Sequence, residues 1–414
     1  MAETTDSEKP VYKFESLGVH AGLSRKENVS FVFENSAHGA AIFNMTAEAF
    51  CYSRIANPTV SVFEARMAAL EGGEAALATS SGSAALFTTI TALAQRGSNI
   101  VVASSVSEST AHILKHRLPP LGINARFVEN GSIEKVGEAV DKDTKFVLAE
   151  SISGDELFVS DIEALAEAAH SKGIPFIVDN TAGAGGFLIR PIDHGADIVI
   201  QDASPWISIS GSNSAGIIID SGKFDWSQSP ERFPQFFEPS PGFHGLKIWE
   251  KFGKLSFISY ARAAIMRDTG PCLNPFEAFQ LIAGLETLSV RLERISSNSL
   301  KLAEWLRDNE RVVAVRYPGL SKHATFRLNT KYLKRGYGGL LSVSLAGSPD
   351  ILQRLPGKLK LVSLGQSIGG SRTIIVPQSG GSSEANPTVW ISVGLESIDD
   401  IIADLKQALP NSEK

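Results

Sequence analysis

Cysteine is nearly absent from this chain of 414 residues: only Cys51 and Cys272 occur, far apart and in no metal-binding spacing. That excludes a disulfide scaffold and a zinc ribbon, and it points to buried thiols in a reducing compartment. No apolar run approaches membrane-spanning length, and the first residues, MAETTDSEKP, are polar and acidic, without the apolar stretch of a signal peptide. The expectation is a cytoplasmic protein with a short disordered start and no membrane partner. Positive charge is not in excess either. A formal net charge of -6 gives no electrostatic reason for nucleic acid or an anionic membrane as a partner, which leaves small molecules. With 43% hydrophobic and 20% charged residues, the chain reads as soluble and globular, long enough for two domains.

What is present is an arm followed by a regular alternation. Residues 11–60 are rich in Asn, Ser and Phe with little periodicity and read as an extended N-terminal arm. Pro58 suits a helix start, and TVSVFEARMAALEGG runs to a glycine stop. ATSSGSAALFTTITALA opens with small residues around Ser81, Gly82 and Ser83, a turn into a helix whose free amides suit a phosphate or carboxylate; on its own this is also an ordinary helix cap. From NIVVAS to PFIVDN, strand-type and helix-type segments alternate, which predicts a mostly parallel, helix-covered α/β sheet with ligands at the carboxyl ends of the strands. Ser107, Glu150, Asp179 and Asp202 all fall near such ends. SQSPERFPQFFEPSPGFHG reads as a surface excursion packing aromatic residues against a neighbour. The segments LKIWEKFGKLSFISYARAAIMRD and EAFQLIAGLETLSVRLERISSNSLKLAEWLRDN then read as long helices. Alternating strands and helices close the chain. The division expected is 1–60 arm, 61–255 large domain and 256–414 smaller α/β domain.

One stretch lacks what its position calls for. ADIVIQDASPWISISGSNSAGIIIDS, residues 196–221, reads as a strand, a strand-end loop and a second strand, yet holds no lysine, cysteine or histidine; Pro205 has neither a titratable group nor an amide proton.

Taken together, YSRIANPT, LEGGEAALATSSGSAA, IPFIVDNTAGAGGFLIRPIDHGADIVI, DSGKFDW, GFHGLKIWE, FQLIAGLETLSVRLER and VWISVGLESIDDIIADL resemble the Cys/Met-metabolism family of pyridoxal-phosphate enzymes, and O-acetylhomoserine sulfhydrylases in particular. The resemblance spans nearly the whole chain. It implies the aspartate-aminotransferase-like fold and a homo-oligomer, a dimer of dimers. It also implies that Tyr52 and Arg54 reach the cofactor phosphate from the neighbouring subunit, that Gly82 and Ser83 hold that phosphate through backbone amides, and that Asp179 pairs with the pyridine nitrogen.

The departures from the family pattern are as informative. Where the family reads Ser-Ala-Thr-Lys-Trp, with the Schiff-base lysine, this chain reads Asp202-Ala203-Ser204-Pro205-Trp206. Asp202 replaces the phosphate-binding serine and sets a negative charge against a phosphate dianion. The ring-stacking tyrosine is Ser107, the substrate-carboxylate arginine is Trp390, and an asparagine after the Glu150 strand is Gly154. These losses lead to the expectation that no cofactor is used, or that pyridoxal phosphate is held non-covalently at most. They also suggest a roomier, less polar cleft for a bulkier substrate, lined by Trp390, Ser107 and Ser204.

Two carboxylates, Asp179 and Asp202, then share a cleft, where burial and like charge raise one proton affinity as acid or base catalysis needs; equally, both carboxylates are structural partners of backbone amides or Arg54. His112 and His116 lie one helical turn apart with no third ligand. His244 follows the family pattern and reads as structural. Lys247, Lys251 and Lys254 form a helix-spaced, solvated face, and Arg372 reads equally as exposed or as a site for an acidic substrate. The leading expectation is a cofactor-independent enzyme of specialised metabolism performing a cyclisation, elimination or isomerisation through Asp179 or Asp202. Two others stand beside it: a non-catalytic partner of an active paralogue, and an enzyme using pyridoxal phosphate without a covalent anchor.

Overall fold

The computed structural model describes residues 13, 16, 31–43, 46–47, 49–128, 132–154, 156–348, 350–378 and 386–409. The acidic start and its expected disorder lie outside these residues. The chain divides into two compact units, Met1–Asn57 and Pro58–Lys414. In the first, Ser36–Phe43 is helical, and the Ile55 and Ala56 amides donate to the Tyr52 carbonyl at 2.9 and 3.1 Å. The Arg54 guanidinium lies over the half-exposed Tyr52 ring, 5.3 Å from its centroid.

The second unit is built on two sheets. Strands β1 (Ala75–Thr79), β2 (Asn99–Val102), β3 (Asn124–Phe127), β4 (Thr144–Glu150), β7 (Phe176–Asp179), β8 (Ile198–Asp202) and β9 (Gly216–Asp220) form one seven-stranded sheet in the order β1-β9-β8-β7-β4-β2-β3. A two-stranded ladder, β5 (Ile152–Ser153) with β6 (Phe158–Val159), lies between β4 and β7 in the chain. The ladders from β3 to β8 are parallel, and those flanking β9 are antiparallel. A parallel sheet covered on both faces needs apolar residues on both sides of every strand, and Phe176, Ile177, Val178, Ile198, Val199 and Ile200 are all buried. Burial relaxes at the last residues of β4, β7 and β8, which are Glu150, Asp179 and Asp202, and otherwise in these strands only at Lys145.

The helix Ile162–His170 covers the sheet with Ile162, Leu165, Ala166 and Ala169, a helical repeat legible in the sequence. The smaller sheet, β10 (Val312–Arg316), β11 (Leu340–Leu345), β14 (Thr388–Ser392), β13 (Ile374–Pro377) and β12 (Ser363–Leu364), packs its own apolar cluster with Leu302, Leu306, Ile401 and Leu405. Among the described residues no helix is long and apolar enough to cross a membrane.

The long helices expected after residue 245 are broken. Gly253, at φ +52°, ends Ile248–Phe252, a conformation that glycine adopts without steric cost. The second segment divides at Thr287 into Pro275–Glu286 and Leu288–Arg307. The aromatic excursion also differs from expectation. Phe233 and Phe236 are fully buried against Trp226, with centroids 5.0 and 5.1 Å away, so they fill the chain's own core.

Candidate active site

The carboxyl ends of β2, β4, β7 and β8 stand side by side, and the chain that leaves them lines a cavity of about 830 Å³. Glu150 and Asp179 are direct partners across the β4–β7 ladder, and Asp202 follows on β8. Three carboxylates therefore form a row along one wall. The row is wired by hydrogen bonds. The Asp202 amide donates to Thr181 Oγ1 at 2.9 Å, and that hydroxyl donates to Asp179 Oδ1 at 2.6 Å, joined there by the Thr181 amide at 3.0 Å. At the other end the Ser107 amide donates to Glu150 Oε1 at 2.7 Å, while the Glu150 amide is fixed by Ser104 Oγ at 2.8 Å.

Burial pushes the Glu150 carboxyl up to about 8, the Asp179 charge adds to this, and the Ser107 hydrogen bonds oppose it. Asp179 is also pushed up, chiefly by burial and further by the Asp202 charge, against the pull of Thr181. The row thus sets two carboxyls of raised proton affinity, Glu150 and Asp179, side by side. That arrangement can donate or accept a proton in a cleft, or receive a cation.

The loop after β8 is fixed from behind. Trp206 has φ +62°, a left-handed conformation that costs a bulky residue energy and persists only where its surroundings over-determine it. Its amide donates to the Gly369 carbonyl at 3.0 Å, and buried Arg291 donates to the Trp206 and Ile207 carbonyls at 2.6 and 3.2 Å. Gly369 must be glycine here: a Cβ would fall 2.5 Å from the Trp206 nitrogen and 2.9 Å from Pro205 Cβ. Pro205 is thereby presented to the cavity, which Ser204 and Trp206 also line. Trp390, on β14 between Ser342 and Val376, contributes an indole wall, and its Nε1 has no hydrogen-bond partner among the described residues.

The cavity gathers Gly82, Ser83, Ser107, Asp179, Asp202, Ser204, Trp390 and Gly154 from the residues singled out in the sequence. It does not gather Arg372, which is exposed, or His244, also exposed at φ +53°. Lys247 pairs with Glu250 at 2.9 Å, the Lys251 ammonium lies over Phe252, and the Lys254 carbonyl accepts from the Trp226 indole; none of the three lines the cavity. His112 and His116 lie with ring centroids 5.0 Å apart, and no group of three or more metal-ligating side chains occurs among the described residues. Tyr52 and Arg54 belong to the other compact unit. Sequence reasoning placed Glu150 at a strand end without giving it a role and passed over Thr181; the acidic end of KFVLAE was the available signal for the first.

This architecture, a mostly parallel seven-stranded sheet with its cavity at the strand ends and a smaller sheet beyond, defines a protein of the fold-type I pyridoxal-phosphate class. The profile of the family described as "Cys/Met metabolism PLP-dependent enzyme" matches residues 24–410, and the chain belongs to that family. It is 43% identical to the sulfhydrylase FUB7 of Fusarium oxysporum f. sp. lycopersici over 425 residues, covering 97% of this chain and 98% of the relative. It is 42% identical to the homocysteine synthase of Schizosaccharomyces pombe over 419 residues, covering 96% and 98%. Among solved structures, a putative O-acetylhomoserine (thiol)-lyase of Campylobacter jejuni superposes with a TM-score of 0.87 at 32% identity, covering 94% of each chain, and carries N'-pyridoxyl-lysine-5'-monophosphate.

These findings correct the expectation that no cofactor is used. The family is PLP-dependent by description and the structural neighbour bears the pyridoxyl group, so pyridoxal phosphate is the cofactor to which they point. The residues present fit its ring. Asp179 has one oxygen held by Thr181 and a proton affinity raised by burial and further by the Asp202 charge, which a ring N–H cation would relieve. Gly82 and Ser83 at the helix start would face its phosphate. Pro205 has no amine with which to bond it.

Proposed function

We propose that this protein is a small-molecule enzyme of specialised metabolism on the sulfhydrylase scaffold. It would act on an amine-bearing substrate with a pyridoxal-type cofactor held by non-covalent contacts, in an elimination, cyclisation or sulfhydrylase-type reaction. The observation that carries this reading is the carboxylate row at the cavity wall, in which Asp179 pairs in register with Glu150 and accepts from Thr181. When bound, the ring supplies an electron sink at the carbon bearing the substrate amine. The chain's own groups do the rest. Asp179 orients the ring, Thr181 fixes Asp179 and couples it to the Asp202 backbone, Glu150 holds a proton at its carboxyl, and Trp390 walls off water with apolar surface. Assembly as a dimer of dimers, with Tyr52 and Arg54 reaching a neighbouring subunit, belongs to the same reading.

Pro205 favours one competing role, that of a non-catalytic partner to an active paralogue. The test takes the purified homo-oligomer and follows near-ultraviolet and visible absorbance as pyridoxal phosphate is added, then as amines are added. A saturable spectral change that Asp179→Asn weakens is expected; an unchanged spectrum at all concentrations removes the proposal.

A further inference from the structure

The cavity has two unlike walls. The four carboxylates that line it, Glu108, Glu150, Asp179 and Asp202, come from the ends of the large sheet's strands or the chain just beyond them. The small sheet supplies the other wall through Trp390 on β14, Leu340 on β11, and Gln366, Ile368 and Gln378 in the chain that follows β12 and β13, and each of these is uncharged. Neighbours fix the face of β14 that carries Trp390. Ser392, two residues on, accepts from the Gly369 amide at 2.8 Å, while Val389 and Ile391 point the other way into the small sheet's apolar cluster. Arg316 lies on the same side of this sheet, in register with Ser342, which in turn pairs with Trp390. Its guanidinium is engaged elsewhere: it pairs with Glu156 Oε2 at 2.5 Å, donates to Ser344 Oγ at 3.0 Å and does not line the cavity.

We infer that the amine substrate carries no free carboxylate: the end of it that meets the small sheet is an amide, an ester or plain hydrocarbon, laid on the Trp390 indole. The inference rests on the reading above that the cavity holds pyridoxal phosphate together with an amine-bearing substrate, and it names the class of that amine. With the ring nitrogen at Asp179, the rest of the substrate extends into the part of the cavity that the small sheet closes. A carboxylate set against an indole gives up its water and gains no paired cation, a loss that a neutral group of the same shape is spared. Arg54, which the same reading brings from a neighbouring subunit, is committed there to the cofactor phosphate. A carbonyl on the substrate meets neutral donors instead, since the side-chain amides of Gln366 and Gln378 line this wall.

Stable, reduced conjugates of pyridoxal phosphate test this without turnover: N-(5'-phosphopyridoxyl)-L-leucine and its carboxamide share ring, phosphate and side chain and differ only in the terminal group. Titration calorimetry on the full-length homo-oligomer is expected to show the carboxamide binding roughly tenfold or more tighter, and Trp390→Arg is expected to reverse the order. Trp390→Lys, which sets the same charge on a more flexible side chain, should move the ratio the same way if Trp390→Arg fails to fold. Equal affinities, or tighter binding of the carboxylate conjugate to the native chain, overturn this inference and leave the proposed function standing. Binding of neither conjugate overturns both. A native preference for the carboxamide that neither variant changes removes Trp390 from the account and overturns the inference.

Discussion

Two sets of buried carboxyls lie on opposite sides of the same strand ends. On the cavity side are Asp179 and Asp202; their neighbours in the chain, Asn180 and Gln201, turn away from it toward Glu71 at the end of the helix Pro58–Glu71. Glu71 is fully buried, and burial raises its carboxyl to about 8, as it does that of Glu150. Their surroundings differ. Glu71 Oε1 accepts from the amides of both Asn180 and Gln201, and Asn180 also donates to the Ile189 carbonyl at 3.0 Å, so this carboxyl ties a helix to two strand ends. Asp179 has one oxygen fixed and stands in a cavity wall beside two other carboxylates. Raised proton affinity is common to Asp179 and Glu71 and so marks neither as a site; access and open coordination separate them.

Three experiments can break or sharpen this contrast. Asp179→Asn should carry the largest effect, a loss of roughly a hundredfold in affinity for the pyridoxal-type ring by calorimetry, because it truncates one partner of a desolvated charge pair. Thermal stability should change little, since Thr181 can still donate to the amide oxygen. If Glu71→Gln costs as much ring affinity, the contrast fails.

Glu71→Gln should instead appear in stability against pH. The folded carboxyl titrates near 8 and its ordinary value is 4.5, so between these values the folded state holds a proton that the unfolded state has lost. This carboxyl's contribution is therefore full below pH 4.5 and declines as pH rises toward 8, by on the order of 4 kcal/mol. The variant should be no more stable than the native chain at pH 5 and relatively more stable at pH 8, as read from denaturant midpoints. Parallel pH curves for the two proteins would show that Glu71 is ionised in the fold.

The smallest expected effect falls behind the loop. Arg291→Ala leaves the buried carbonyls of Trp206, Ile207 and Gly284 without their donor and should cost about 3 kcal/mol in denaturant unfolding. Limited proteolysis should then cut the loop after β8 before other sites. A native cleavage pattern would show that Gly369 alone holds Trp206 in its left-handed conformation.

Much of the architecture was legible locally. Apolar runs that end in a single acidic residue, as in PFIVD and FVLAE, identify buried parallel strands, because only a strand covered on both faces excludes polar residues until its last position. Pro58 and the Ser81 cap marked their helices for the same local reason. The breaks at Gly253 and Thr287 escaped detection since apolar periodicity continues across both. The inward turn of Phe233 and Phe236 escaped because composition does not say what a loop packs against.

By itself, the sequence determined which groups this protein has for chemistry: a proline and no lysine in the loop after β8, carboxylates closing three strands, and a tryptophan on β14. Only the tertiary structure decided how they act. Glu150 became part of the row because β4 pairs with β7 in a register that sets it opposite Asp179, a relation between residues 29 apart that no local pattern carries. Asp202 came to lie against the start of the helix Gly82–Leu93 only because its strand packs against Gly82, 120 residues earlier, closely enough to leave no room for a Cβ. Charge and hydrogen-bonding capacity belong to the residue; proton affinity and access are set by the neighbours that folding supplies.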